Sequence, residues 1–288
     1  MATTLYAMGR IRNTIELAKT SWGVLQKDRE LVVLPVLSFL GAALVLAIFV
    51  IPGVLALPEE TAGSAAAGEE QALPALSLIL FVFGSLAATV VSVFFTGALV
   101  AGAHERMSGG DPTVGSAIGR ATQRIPGLVP WALLTATVGM IIQALRERAG
   151  GVGRFILGGI DLAWNVASFL TIPAIVIDDK GPIDGFKSSA GLLRQTWGEN
   201  IVSQVGFGLV GFVAVIPAIV LIAIAAALNV TAFLVVAFII AAVWIALVLA
   251  VVSALGGIFK AALYLYATRG EAPEGFEGAD LGGTFTRR

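Results

Sequence analysis

The sequence contains no cysteine and one histidine, His104. Without cysteine there is no disulfide, no thiolate nucleophile and no thiolate metal site. One histidine gives little material for a histidine metal site or a Ser/His triad. Charge is also scarce. Asp, Glu, Lys and Arg make up 13% of the 288 residues, against about 25% in a soluble domain. That is too little to wet a water-facing surface. The net charge of -1 comes without a basic stripe, which argues against a nucleic-acid partner. An apolar core behind a short basic start is missing as well. The first apolar run begins only at Leu31, with no small-residue cleavage site close behind it, so the first thirty residues do not read as a signal peptide.

What fills the chain is apolar residue. Hydrophobic types account for 57%, and the mean hydropathy is +0.92. Six apolar runs stand out, at 31–57, 73–101, 127–144, 155–177, 201–227 and 231–263. At about 1.5 Å per helical residue, each can cross a hydrocarbon core of about 30 Å. The expected fold is therefore all-α: a polytopic integral membrane protein of about six transmembrane helices. The third run is the shortest, and the last is long enough to tilt or to pass the membrane face.

The basic residues set an orientation, because cytoplasmic loops are rich in Lys and Arg. Arg10, Arg12, Lys19, Lys27 and Arg29 precede the first run, and Arg106, Arg120 and Arg124 follow the second. Lys180, Lys187 and Arg194 follow the fourth, and Lys260, Arg269, Arg287 and Arg288 come at the end. Of the 18 basic residues, only Arg146, Arg148 and Arg154 fall on the opposite side. The loop there after the first run carries Glu59, Glu60, Glu69 and Glu70, and the last turn lies around Asn229. Both termini are thus expected in the cytoplasm. The three arginines between runs three and four oppose this arrangement. A re-entrant pair would avoid their crossing; full crossing, with Glu147 and Asp161 as partial compensation, is the preferred reading.

The cytoplasmic segments are patterned. Residues 11–27 put Ile11, Ile15, Ala18, Trp22 and Leu25 on one helical face, as in an interfacial amphipathic helix. A second such helix is expected from Asp111-Pro112, with Asp as cap and Pro at the first helical position. A third is expected from Gly181-Pro182 towards Trp197. The second and third match at Pro112/Pro182, Gly115/Gly185 and Arg124/Arg194. Each of the three leads into a helical hairpin, which suggests a threefold repeat of interfacial helix plus hairpin. The repeats run in the same direction, unlike the inverted repeats common in secondary transporters. The organisation expected is a cytoplasmic amphipathic segment (1–30), a six-helix domain (31–267) and a flexible cytoplasmic tail (268–288).

Two stretches carry a resemblance. One is Ser21-Trp22-Gly23-Val24-Leu25-Gln26-Lys27-Asp28-Arg29-Glu30-Leu31, running into Leu34-Pro35. The other is Ile177-Asp178-Asp179-Lys180-Gly181-Pro182-Ile183-Asp184-Gly185-Phe186-Lys187-Ser188-Ser189, with Trp197-Gly198 beyond. The pattern resembles a family of uncharacterised bacterial and archaeal six-helix membrane proteins, a domain of unknown function. The second stretch is also similar to the membrane domain attached to some glycerophosphodiester phosphodiesterases. The resemblance implies a helical membrane fold in a prokaryotic protein of the cell (cytoplasmic) membrane. It carries over no functional residue, and the chain has no phosphodiesterase catalytic domain.

Few polar groups interrupt the spans. Ser85, Thr89, Ser92 and Thr96 share one face of the second helix. They can line a polar pathway, or serve packing by bonding neighbouring helices or their own backbone; packing is favoured. Asp161, Asn165 and Ser168 form a second stripe on the fourth helix. A carboxylate in a span is a functional hypothesis by default, yet Arg146 or Arg154 can reach Asp161, and a structural ion pair is the preferred reading. Lys260, with Ser253 and Gly257 on its face, reads as a lysine snorkelling to the interface. Asp178 and Asp179 read as capping the third interfacial helix. Gly206-Phe207-Gly208-Leu209-Val210-Gly211 fits a dinucleotide-binding pattern but lies inside an apolar span, where small residues serve helix packing.

No catalytic residue, cofactor site or metal site is therefore expected. An enzyme would have to draw on His104, Glu105 and Asp111, or on Asp178, Asp179 and Asp184, which are scattered among loops. Two functions remain. One is a non-catalytic accessory, scaffold or membrane-organising component, with a protein partner or homo-oligomer. The other is a channel or transporter for a small solute, ion or lipid, lined by the hydroxyl stripe and Asp161, with a wet cavity between helices two and four.

Overall fold

The structure, a computed structural model, describes residues 19–58, 74–196, 203–228 and 230–277. The described elements are a helix over 19–27 (α1), a 3-10 turn Arg29–Val32, and then nine further helices. These are α2 Val33–Leu55, α3 Ala75–Met107, α4 Val114–Gln123, α5 Ile125–Arg148, α6 Gly151–Ser168, α7 Thr171–Asp178, α8 Pro182–Thr196, α9 Ser203–Ala227 and α10 Thr231–Arg269. There is no strand among the described residues. Among the described residues, five stretches are long and apolar enough to cross a membrane: Arg29–Leu55, Ala75–Met107, Ile125–Arg148, Gly151–Asp178 and Thr231–Arg269. In α9 the apolar stretch among the described side chains is Gly211–Ala227.

The helices meet most closely at the end that carries residues 19–35 and 250–277. There α3 is buried almost continuously from Gly97 to Leu99 and on to Ala103, and α10 from Ala261 to Leu265. Leu31, Leu34, Leu128, Trp131, Leu170 and Ile175 complete the core. Small residues permit this proximity. A Cβ on Gly257 would come within 2.3 Å of the Leu99 side chain, and one on Gly102 within 2.6 Å of Leu31. Close backbone approach of this kind is the main packing device of helices in lipid. At the far end the helices are apolar and exposed. Phe155 on α6 is 83% exposed, and α6 buries no residue. Thr231 to Leu249 of α10 buries only Ala237 and Ala241, and α9 packs chiefly on α10. Such a surface is suited to hydrocarbon.

Three expectations are corrected. The run 155–177 is not one unbroken helix: it turns at Phe169 and Leu170, between α6 and α7. Pro173 has no N–H to give to the Phe169 carbonyl, and its ring crowds that carbonyl, so a new helix starts where proline is tolerated in the first turn. The helix expected from Asp111-Pro112 begins later and is capped by Thr113. The Thr113 hydroxyl accepts the Ser116 N–H at 3.0 Å, and the Ser116 hydroxyl accepts the Thr113 N–H at 3.0 Å, a reciprocal capping box. Asp111 is drawn instead to Arg106, at 2.6 Å. In the first amphipathic segment only 19–27 is described, while 11–18 lies outside the described residues. Its buried side holds Ser21, Val24 and Leu25, with Trp22 43% exposed.

The sixth run continues as helix beyond 263 to Arg269, and α5 runs four residues past the expected 144, to Arg148. The tail expected over 268–288 begins as packed structure: Phe276 is fully buried and Gly275 lies against Val24. Residues 278–288, Trp197, Gly198 and Asn229 lie outside the described residues.

Candidate functional site

The hydroxyl stripe is half-buried along α3, and each hydroxyl bonds its own helix. Ser85 donates to the Val82 carbonyl at 2.8 Å, Thr89 to Ser85 at 2.8 Å, Ser92 to Ala88 at 3.0 Å and Thr96 to Ser92 at 2.8 Å. A hydroxyl bonded this way satisfies itself without a partner helix or water. Ser85 also lies 3.9 Å from the Met140 sulfur on α5.

The second stripe is a local cluster on α6. Arg146, from α5, donates to Asp161 at 3.0 Å. Asn165 donates to the Asp161 carboxylate at 3.0 Å and to its carbonyl at 2.8 Å, and Ser168 donates to the Asn165 carbonyl at 3.3 Å. Arg154 does not take part; it donates to the Ala149 carbonyl at 3.1 Å. The carboxylate thus has an opposite charge and an amide on its two oxygens, while Arg146 Nε is buried without a partner. The two stripes do not face each other. α3 packs on α5 and α5 on α6, and no comparable contact joins α3 to α6. On the α6 side, Trp164 donates to Thr135 of α5 at 3.4 Å.

The densest polar chemistry lies elsewhere, at the end of the bundle where the core sits. Asp28 is almost fully buried and receives both Nε and Nη2 of Arg106, a two-point grip suited to guanidinium and carboxylate. Arg106 also holds Asp111. Glu105 accepts from Ser116 at 3.1 Å and faces Arg120 at 3.5 Å. Arg269 reaches His104 at 3.5 Å. A second knot surrounds the buried Tyr264: its hydroxyl donates to Asp178 and accepts from Lys180 at 3.1 Å. Lys180 also pairs with Asp178 at 3.2 Å and donates to Ser188 at 2.9 Å.

Asp179 pairs with Arg124. Its φ of 56° puts it in the left-handed region, where it ends α7. Asp178 and Asp179 therefore tie α7 to α10 and to the end of α4. These partners are missed in the sequence because they lie far apart along it: Asp28 and Arg106 by 78 residues, Asp178 and Tyr264 by 86. The available signal was the charge at the ends of the spans.

α8 is built into this end. Its Phe186 stacks with Trp164 at 5.0 Å and Trp131 at 5.9 Å, and the two tryptophans stand 6.0 Å apart. Its buried Ser189 accepts the Leu170 N–H at 3.0 Å, inside the break between α6 and α7. The helix expected at the interface therefore also closes the broken span. Among the described residues no three His, Cys, Asp or Glu side chains gather as a metal site would need.

No curated protein and no solved structure matches the chain, so the likeness to glycerophosphodiester phosphodiesterase membrane domains has no support from these comparisons. A family profile does match, over residues 75–275. This range includes α3 to α10 and the stretch Ile177 to Ser189, but not the stretch Ser21 to Pro35. Since the match covers more than half of the sequence, the chain belongs to DUF6159, a family of unknown function.

Proposed function

We propose that the protein is a non-catalytic component of the prokaryotic cytoplasmic membrane, an accessory or scaffolding subunit. In this reading it crosses six times, with α9 as the fifth span, and both termini are cytoplasmic. α1, α4 and α8 are interfacial helices of a threefold repeat. The observation that carries the reading is where the in-span polar groups are bonded. The hydroxyls of Ser85, Thr89, Ser92 and Thr96 are closed onto their own helix, and Asp161 is held by Arg146 and Asn165. A pathway needs polar groups free to exchange partners with its cargo.

The alternative is a channel or transporter for a small solute, ion or lipid. One observation favours it: Arg146 Nε is buried and lacks a partner beside Asp161, and a buried donor of this kind invites water or a ligand.

Gentle affinity purification from native membranes separates the two. A stoichiometric protein partner or a defined homo-oligomer, kept in Asp161→Ala and Ser92→Leu, is the outcome expected of a scaffold. Reconstituted flux lost in Ser92→Leu, in protein that still folds, would overturn the scaffold reading and establish the alternative.

A further inference from the structure

Lys260 lies on α10 one turn before Tyr264 and is partly buried. Its ammonium is held 5.0 Å over the ring of Phe169, at the break between α6 and α7. It makes no ion pair or hydrogen bond with any described residue. A cation over an aromatic face is attracted by the ring quadrupole, but only weakly. That leaves the charge without the anion that a desolvated ammonium needs.

The surface beside it is open. Ser253 and Gly256, seven and four positions earlier, share its side of the helix. Ser253 is exposed, and a Cβ on Gly256 would meet nothing within 4 Å. Gly257, by contrast, turns inward onto Leu99. The helix thus presents a hydroxyl, a gap and an ammonium in one strip.

The depth of Lys260 identifies what can fill the gap. From Thr231 to Lys260 the helix rises through 260 − 231 = 29 residues, about 44 Å. A bilayer with its headgroups is about 40–45 Å thick. With Thr231 at one face, Lys260 falls among the headgroups of the leaflet on the side of Arg269. The anion concentrated at that depth is lipid phosphate.

We infer that Lys260, with Ser253 and the space at Gly256, forms a site for the phosphate headgroup of one anionic phospholipid. The ammonium would pair with the phosphate, Ser253 would donate to the headgroup, and the acyl chains would run along the apolar outer part of α10. The inference is independent of whether the protein is a scaffold or a transporter.

Native mass spectrometry of the full chain in mild detergent, titrated with phosphatidylglycerol or phosphatidylcholine, tests it. One phosphatidylglycerol should be retained per chain, in preference to phosphatidylcholine. Lys260→Met should weaken retention about tenfold, as expected for a lost charge-assisted bond, and Lys260→Arg should keep it. Gly256→Leu leaves the charge and fills the gap, so it should also weaken retention, which guards against a poorly folded Lys260→Met. Lys187→Met, at an exposed lysine, should change nothing. Equal retention in wild type, Lys260→Met and Gly256→Leu would overturn the inference. So would displacement of the lipid by excess inorganic phosphate, because the ligand would then be a free anion.

Discussion

At the scale of single residues, the tightest constraints are steric. Gly257 and Gly102 lie where α10 and the turn before α2 press against α3, with Leu99 and Leu31 filling the space a Cβ would need. Gly257→Val should force α10 away from α3 and lower stability by about 1–3 kcal/mol, read as thermal denaturation in detergent. Gly256→Ala, one position earlier and open, should leave the melting curve in place. The helical spacing puts Gly257 on the face of Lys260, but Gly257 turns onto Leu99 and Gly256 is the open one. Which one touches a neighbour depends on how α10 is rotated, and that rotation is set by the packing of the whole helix. The same limit applied to Asp161: that an arginine would pair with it was legible from Arg146 and Arg154, but the choice of Arg146 is a matter of three-dimensional reach.

At the scale of elements, the broken fourth span is the informative case. Pro173 lies inside the fourth run, and the break falls four residues before it, where the lost hydrogen bond would have ended. The remedy for that break was not visible. It is Ser189, from a helix expected to do no more than lie on the membrane surface. Ser189→Ala should leave the buried Leu170 N–H unpaired and lower stability by about 1–3 kcal/mol. In a Pro173→Ala background the Leu170 N–H can return to the Val166 carbonyl. The cost of Ser189→Ala should then shrink, so the two substitutions should be non-additive in a double-mutant cycle of melting curves. Strict additivity would show that the two sites act separately. The capping of α4 carries a related lesson. Asp111 was the obvious cap by residue type, but a nearby guanidinium competes for it, and Thr113 caps in its place.

At the scale of the whole molecule, burial and most of the ion pairs share one end, with Arg146–Asp161 set apart from them. The Asp28–Arg106–Asp111 group ties the entry of α2 to the exit of α3, and Asp178–Tyr264–Lys180 ties the exit of α7 to α10. Because Asp28 is buried, Arg106→Ala should leave a carboxylate desolvated and unpaired, costing about 3–5 kcal/mol. Asp28→Ala added to Arg106→Ala should restore part of that loss, since it removes the uncompensated charge. If the double variant were less stable than Arg106→Ala alone, the pair would not be acting as a buried ion pair. The opposite end, apolar and loosely packed, has its surface suited to lipid.

The membrane-helical class followed from the sequence alone, because crossing hydrocarbon demands long apolar helices whose backbone groups bond internally. That demand is local and is written in consecutive residues; five stretches long and apolar enough to cross stand among the described residues. The hydroxyl and Asp161 stripes were legible for the same reason, since helical periodicity fixes a face. Only the tertiary structure decided which partner each polar group found: the backbone for the hydroxyls, Arg146 for Asp161, Ser189 for the broken span and Phe169 for Lys260. Apart from the hydroxyls, which bond their own helix, those choices join residues from different helices. They depend on helix rotation and depth, which arise from packing the whole chain and leave no local trace in its order of residues.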